Sequence, residues 1–129
     1  MTKRILLCDD EMHILRAAEF KLAGAGHHVR CARNGREAWQ RIEAQMPDIL
    51  VTDLQMPEMN GYELIQSVRA NPTTSQLPII LLTAKALEIA EGEAVRFGLI
   101  KILTKPFSPK ALLQLIESTL APAEAGSAP

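Results

Sequence analysis

The sequence predicts an α/β fold: an open, doubly wound sheet of five parallel strands with five helices on both faces. Two observations carry that prediction. Short apolar runs alternate five times with stretches of helical periodicity. The runs are apolar on both faces, as strands are when helices cover a sheet from either side. Length sets the scale, since 129 residues at 47% apolar composition suit one compact domain with one core. Right-handed crossovers follow from strand–helix–strand connectivity.

The elements follow in order. Residues 3–8 form the first strand, closed by Asp9 and Asp10. Residues 12–25 form a helix with Ile14, Leu15, Ala18, Leu22 and Ala25 on its inner side, ended by Gly24 and Gly26. Residues 28–32 are the second strand. Asn34 caps the second helix, with Glu37 three positions on as in a capping box, and the helix stops before Pro47. The third strand opens at Asp48 and ends at Asp53. A loop through Gly61 leads into a third helix over residues 62–70. Residues 78–82 are the fourth strand, ending at Thr83. A fourth helix spans residues 86–97, weakened by Gly92. Residues 99–103 are the fifth strand. Ser108 caps the last helix, with Pro109 in its first turn. The domain is expected over residues 1–120, and residues 121–129, rich in Ala and Pro, read as a flexible tail or the start of a linker.

Composition removes several function classes. Lys and Arg number 14 against 15 Asp and Glu, which excludes a generally basic nucleic-acid binder. No apolar run reaches the length of a membrane span, and no signal peptide is visible. Cys8 and Cys31 lack zinc spacing and read as buried, reduced thiols, so the expected compartment is the cytoplasm.

In open parallel sheets, ligands sit beyond the carboxyl ends of the strands. Strand one ends in Asp9, Asp10 and Glu11, strand three in Asp53, strand four in Thr83, and strand five in Thr104, Lys105 and Pro106. Any one of these is commonly a turn residue or a helix cap. Four strand ends converging on carboxylates, a hydroxyl and an ammonium point to one shared site. Carboxylates about 4 Å apart repel by about 4 kcal/mol per pair at an effective dielectric of 20, so a cation is needed to gather them. A hard ion with oxygen ligands, Mg²⁺ (or Mn²⁺), fits this set, and no His or Cys cluster argues for zinc. His13, in the first turn of helix one, reads as a surface residue, and His27 and His28 begin strand two away from the site. An ion, a lysine and a hydroxyl around one Asp make a phosphoryl-transfer arrangement, with the carboxylate able to form an aspartyl-phosphate. Lys105 would act on a phosphoryl oxygen as a point charge, and Thr83 would donate a hydrogen bond to another.

These residues resemble the response-regulator receiver domains of two-component signalling, the group that includes chemotaxis regulators. The matching segments are Asp9-Asp10, Asp53-Leu54-Gln55-Met56-Pro57-Glu58-Met59-Asn60-Gly61, Leu82-Thr83-Ala84 and Thr104-Lys105-Pro106-Phe107. The resemblance covers about residues 3 to 120. It implies a flavodoxin-like sheet of strand order 2-1-3-4-5 and a cis Lys105–Pro106 bond. It makes Asp53 the phosphoacceptor, assisted by Thr83 and Lys105. Asp10, Asp53 and the main-chain carbonyl of Gln55 would hold Mg²⁺, with Asp9 helping through water. It further implies a switch that is phosphorylated by a histidine kinase or histidine phosphotransfer protein, and not an enzyme with external turnover. A downstream protein would read the state at the face of helix four, strand five and helix five. The protein would be a monomer or a phosphorylation-dependent dimer, contacting neither nucleic acid nor membrane directly.

Two features depart from that pattern. Ile102 stands where receivers commonly carry Tyr or Phe, so the usual aromatic rotation coupled to Thr83 has no aromatic to move. The run from Gly98 to Ile102 is also more apolar than usual, which suits either a better-buried strand or a partner surface. Gln55 and Lys85, two residues beyond Asp53 and Thr83, occupy positions that modulate access of water to the phosphoryl group in this family. Other readings make different demands. An Asp-nucleophile, Mg²⁺-dependent phosphatase would carry a second Asp where Gln55 stands. A flavin or nucleotide binder would need a Gly-rich or hydroxyl-rich phosphate loop after strand one, where Asp9, Asp10 and Glu11 lie. A phosphate-independent interaction module with the same fold would not need the complete set of acids, Thr83 and Lys105.

Overall fold

The computed structural model describes residues 2–84 and 100–121. One sheet of five parallel strands runs through it: β1 Arg4–Cys8, β2 His28–Ala32, β3 Ile49–Asp53, β4 Ile79–Thr83 and β5 Ile100–Thr104. Their order is β2-β1-β3-β4-β5. Four helices are described, namely α1 Met12–Gly24, α2 Gly35–Ala44, α3 Gly61–Ala70 and a C-terminal helix, Pro109–Thr119. The helix predicted over residues 86–97, and Lys85 before it, lie outside the described residues, as do residues 122–129 of the expected tail.

The doubly apolar strands divide their side chains between two cores. Ile5, Leu7, Ile49, Val51, Ile80 and Leu82 pack with Leu15, Ala18 and Leu22 of α1 and with Leu112 and Ile116 of the C-terminal helix. Leu6, Cys8, Leu50, Ile79 and Leu81 pack with Ala38 and Ile42 of α2 and with Leu64, Ile65 and Val68 of α3. Alternation along each strand is therefore between two buried faces, and no polar face survives in β1, β3 or β4 beyond the residues at their ends. At about 1.5–3 kcal/mol for each large aliphatic side chain, these layers carry the stability that the charged edge spends.

Three local expectations need correction. Ala25 is exposed rather than on the inner side of α1, because the helix ends at Gly24 and Gly26 turns the chain at φ +94°. Ile14 is half-buried. At α2, Asn34 Oδ1 accepts from the Glu37 amide at 2.8 Å, but the Glu37 carboxylate turns to the Arg33 amide and the Arg41 guanidinium. The reciprocal capping box forms instead at α3, between Asn60 and Glu63.

His27 lies just outside β2 and is buried. Its Nδ1 accepts from the Lys3 amide at 3.1 Å, which places the ring proton on Nε2, 3.1 Å from the Glu117 carboxylate. The imidazole thus ties β1 to the C-terminal helix at the end of the sheet remote from the acids.

Candidate functional site

Strand register brings the site together. Cys8 pairs with Thr52 across β1 and β3, so the next residues, Asp9 and Asp53, emerge side by side. Thr83 pairs with Thr104 across β4 and β5. Lys105 follows, and its amide donates to the Thr83 carbonyl at 2.8 Å. The Lys105–Pro106 peptide is cis.

Asp9, Asp10 and Asp53 each offer a carboxylate oxygen, and the three oxygens lie within 4.8 Å of one another. Asp9 and Asp53 are buried, whereas Asp10 is exposed. Asp53 Oδ1 accepts from the Leu54 amide at 2.8 Å, and Oδ2 lies 3.3 Å from Lys105 Nζ. Asp9 Oδ1 accepts from the Glu11 amide at 2.9 Å. Asp9 Oδ2 sits 2.9 Å from Lys105 Nζ but has no aligned hydrogen-bond donor, although it is fully buried.

Burial raises the Asp53 carboxyl above its ordinary range, and the Asp9 charge adds to this, against the opposing pull of Lys105. For Lys105, burial works to lower the ammonium. The carboxylates of Asp9, Glu11 and Asp53 outweigh it and hold the group above its usual value, so it stays charged.

The loop after β3 is fastened to this edge. Gly61 donates its amide to the Leu54 carbonyl at 2.8 Å. A Cβ at Gly61 would collide with the Asp53 carbonyl oxygen and lie 2.9 Å from Leu54 Cα. Only a residue without a side chain lets α3 start this close to the phosphoacceptor candidate. Met56 anchors the loop at its middle, with its sulfur 3.2 Å from Cys8 Sγ. Glu58 adopts φ 65°, a left-handed conformation that a non-glycine residue seldom takes. Gln55 is exposed and lines the cleft.

The cleft holds about 610 Å³ and is bordered by Asp10, Glu11, Asp53, Gln55, Thr83 and Lys105. Thr83 is buried. Ile102 is half-buried against the core beneath α2 and α3, while Lys101 beside it is exposed. The two cysteines are free. Burial pushes the Cys8 thiol up to about 12 and the half-buried Cys31 thiol up to about 11. A separate cavity of about 330 Å³ lies at the amino end of the sheet and is lined by Arg4, His28, Arg30 and Arg41. It contains none of the site residues.

One residue of the site carries more than the sequence assigned to it. Glu11 Oε1 accepts a hydrogen bond from Lys105 Nζ at 3.0 Å. The signal for it was its place directly after Asp9 and Asp10 at the same strand end.

The oxygen-only donor set of three clustered carboxylates fits a hard divalent cation. Residues 5–117 match the response regulator receiver domain family. An uncharacterized 14.6 kDa protein of Leptolyngbya boryana is 41% identical over 88% of this chain and 86% of its own length. The alkaline phosphatase synthesis transcriptional regulatory protein PhoP of Bacillus subtilis is 32% identical over 93% of this chain. The match spans about half of the Bacillus protein, 49% of it. The chemotaxis response regulator CheY4 of Vibrio cholerae superposes with a TM-score of 0.85 at 30% identity, over 93% of this chain and 100% of that one. The chain therefore belongs to the response-regulator receiver family.

Proposed function

We propose that this receiver accepts a phosphoryl group on Asp53 from the phosphohistidine of a histidine kinase or histidine phosphotransfer protein and thereby switches its contacts with a downstream protein. The carrying observation is the buried Asp53 carboxylate set between two further acids and the Lys105 ammonium. In the transfer, a bond forms between an Asp53 oxygen and phosphorus as the P–N bond of the donor breaks. The imidazole leaves with the electron pair of that bond and takes a proton from solvent. Asp53 Oδ1 accepts from the Leu54 amide, and Oδ2, the attacking oxygen in this reading, lies 3.3 Å from the Lys105 ammonium.

Asp9, Asp10, Asp53 and the Gln55 carbonyl would hold Mg²⁺ (or Mn²⁺), with Asp9 acting through water. When bound, the ion neutralises charge on the transferring group. Lys105 supplies a fixed positive charge for a phosphoryl oxygen, and Thr83 a hydroxyl for another. The modified side chain gains a charge near −2. Thr83 then moves toward it, and β5 repacks through the aliphatic Ile102 in place of an aromatic rotation. The readout face would comprise the segment 86–97, for which the sequence predicts a helix, with β5 and the C-terminal helix. Gln55 and Lys85 tune hydrolysis. The receiver unit occupies residues 1–120 and works in the cytoplasm; among the described residues no helix is long and apolar enough to cross a membrane.

Incubation with acetyl phosphate and Mg²⁺ tests the first step by intact mass. Wild type should gain one phosphoryl group and Asp53→Asn none. No gain in wild type, or an equal gain in both, would overturn the assignment.

A further inference from the structure

Lys105 Nζ is surrounded by three carboxylates, at 2.9 Å from Asp9, 3.0 Å from Glu11 and 3.3 Å from Asp53. The Glu11 contact is a hydrogen bond, and those to Asp9 and Asp53 are close ion pairs. An ammonium has three N–H groups. With three acids gathered around it, the Lys105 ammonium is already paired, and a phosphoryl oxygen must compete with them for it.

The three acids are not equally free to leave. Asp9 is fully buried, and its other oxygen is bound to the Glu11 amide. Asp53 is the buried acceptor itself. Glu11 is half-exposed at its side chain, so water can take over its carboxylate when it swings away. Its released carboxylate also has a neighbour, since Glu11 Oε2 already lies 3.8 Å from the exposed His13 ring. Glu11 stands at the N-cap of α1, but its side chain makes no capping hydrogen bond there. Its carboxylate therefore spends its hydrogen bond on Lys105 and not on the start of the helix.

We propose that Glu11 is a positioning residue that occupies Lys105 in the unphosphorylated protein and competes with the incoming phosphoryl group for it. Glu11 acts through Lys105 and sets how much phosphodonor is needed before Asp53 is modified. This rests on the phosphoacceptor role of Asp53 given above. The contact is a partly exposed ion pair, so its effect is modest and screened by salt.

The test compares wild type, Glu11→Gln and Glu11→Asp over a series of acetyl phosphate concentrations with saturating Mg²⁺, read by intact mass. Glu11→Gln removes the charge; Glu11→Asp keeps it but shortens the arm. Both should lower the half-saturating donor concentration, Glu11→Gln by about threefold to fivefold at low ionic strength. The maximal rate should stay near that of wild type, and the difference should shrink in high salt. Equal donor dependence of wild type and Glu11→Gln overturns the proposal and leaves the Asp53 assignment standing. A response to Glu11→Gln with Glu11→Asp matching wild type overturns the contact in favour of a diffuse charge effect. No mass gain in any of the three proteins overturns the Asp53 assignment and this proposal together. The urea midpoint of Glu11→Gln in EDTA should stay within about 0.5 M of wild type, and a drop of the kind a lost helix cap gives would overturn the assignment of the carboxylate to Lys105.

Discussion

Removing the charge of Asp53 should make the metal-free protein more stable, because the site carries an electrostatic cost. At 4.8 Å and an effective dielectric of 20, one carboxylate pair repels by about 3.5 kcal/mol. Asp53 faces two such neighbours, Asp9 and Asp10. The Lys105 ammonium at 3.3 Å attracts it by about 5 kcal/mol on the same scale. Exposure of Asp10 screens its share of the repulsion. Charge against charge thus comes close to balance, and the burial of an ionised Asp53 decides the sign. The direction of its pKa shift says the same, with burial as the leading cause and the Asp9 charge next. Asp53→Asn keeps the shape, and its carbonyl can still accept from the Leu54 amide. The expected gain is about 1–3 kcal/mol, from relief of burial and repulsion less the lost lysine pair.

Urea unfolding in EDTA at neutral pH measures this directly. With a slope of about 2 kcal/mol per molar urea, the midpoint should rise by about 0.5–1.5 M. The pH dependence fixes the cause. Asp53 has a folded pKa above its unfolded value, so between the two the folded state binds more protons and stability falls as pH rises. The advantage of Asp53→Asn is therefore full above the folded pKa and fades as pH drops through it toward the ordinary carboxyl value. Adding Mg²⁺ should reverse the ranking, because the ion stabilises the protein that binds it more tightly. A midpoint for Asp53→Asn at or below wild type in EDTA would refute the account of a cation-demanding acidic cluster.

Two further outcomes follow from the packing around the site. Gly61→Ala drives a Cβ into the Asp53 carbonyl and against the Leu54 backbone, neither of which is a yielding side-chain tip. It should cost about 2 kcal/mol or more in urea and reduce the further gain in midpoint that Mg²⁺ gives. An unperturbed variant would show that α3 starts farther from Asp53. The thiols should be inert, with Cys8 buried and pushed up to about 12 and Cys31 half-buried at about 11. Ellman's reagent near pH 8 should leave Cys8 untouched and modify Cys31 slowly in native protein, and both should react rapidly in urea. Fast reaction of two thiols in the native state would contradict the burial.

The sheet was legible because β1, β3 and β4 are apolar on both faces, and only a layer on each side satisfies that pattern. The site was legible for a related reason. Asp9, Asp53, Thr83 and Lys105 all follow apolar strands at their carboxyl ends, and parallel register leaves them no other edge to share. The strand order rested on the family resemblance and agrees with the observed pairing. What stayed hidden was local. Capping-box spacing at Asn34 and Glu37 could not reveal that Glu37 has Arg41 one turn away and a second amide in reach. The box at Asn60 was obscured because the same residues belong to the loop that carries Gly61. Nor could periodicity tell that His27 turns inward to meet Lys3 and Glu117, partners 24 and 90 residues away in sequence.

The same contrast explains why the molecule can switch at all. Its two apolar layers leave the middle of the sheet with no unpaired demand. The carboxyl edge holds an ionised Asp53 that burial opposes, a buried Asp9 oxygen with no aligned donor, and a lysine crowded by acids. The Lys105 ammonium gains from the arrangement, but the ionised Asp53 carboxylate does not in the metal-free, unmodified protein, and natural sequences spend stability in this way chiefly where a site must react. A cation and a phosphoryl group would answer these demands together, giving the carboxylates a counter-charge and Lys105 an anion to hold. The free energy of that relief would be available to drive the proposed rearrangement of Thr83 and β5, because only interactions that differ between the two states can move the equilibrium between them. A cluster already satisfied at rest would bind phosphate no less readily on paper, yet would have nothing to transmit.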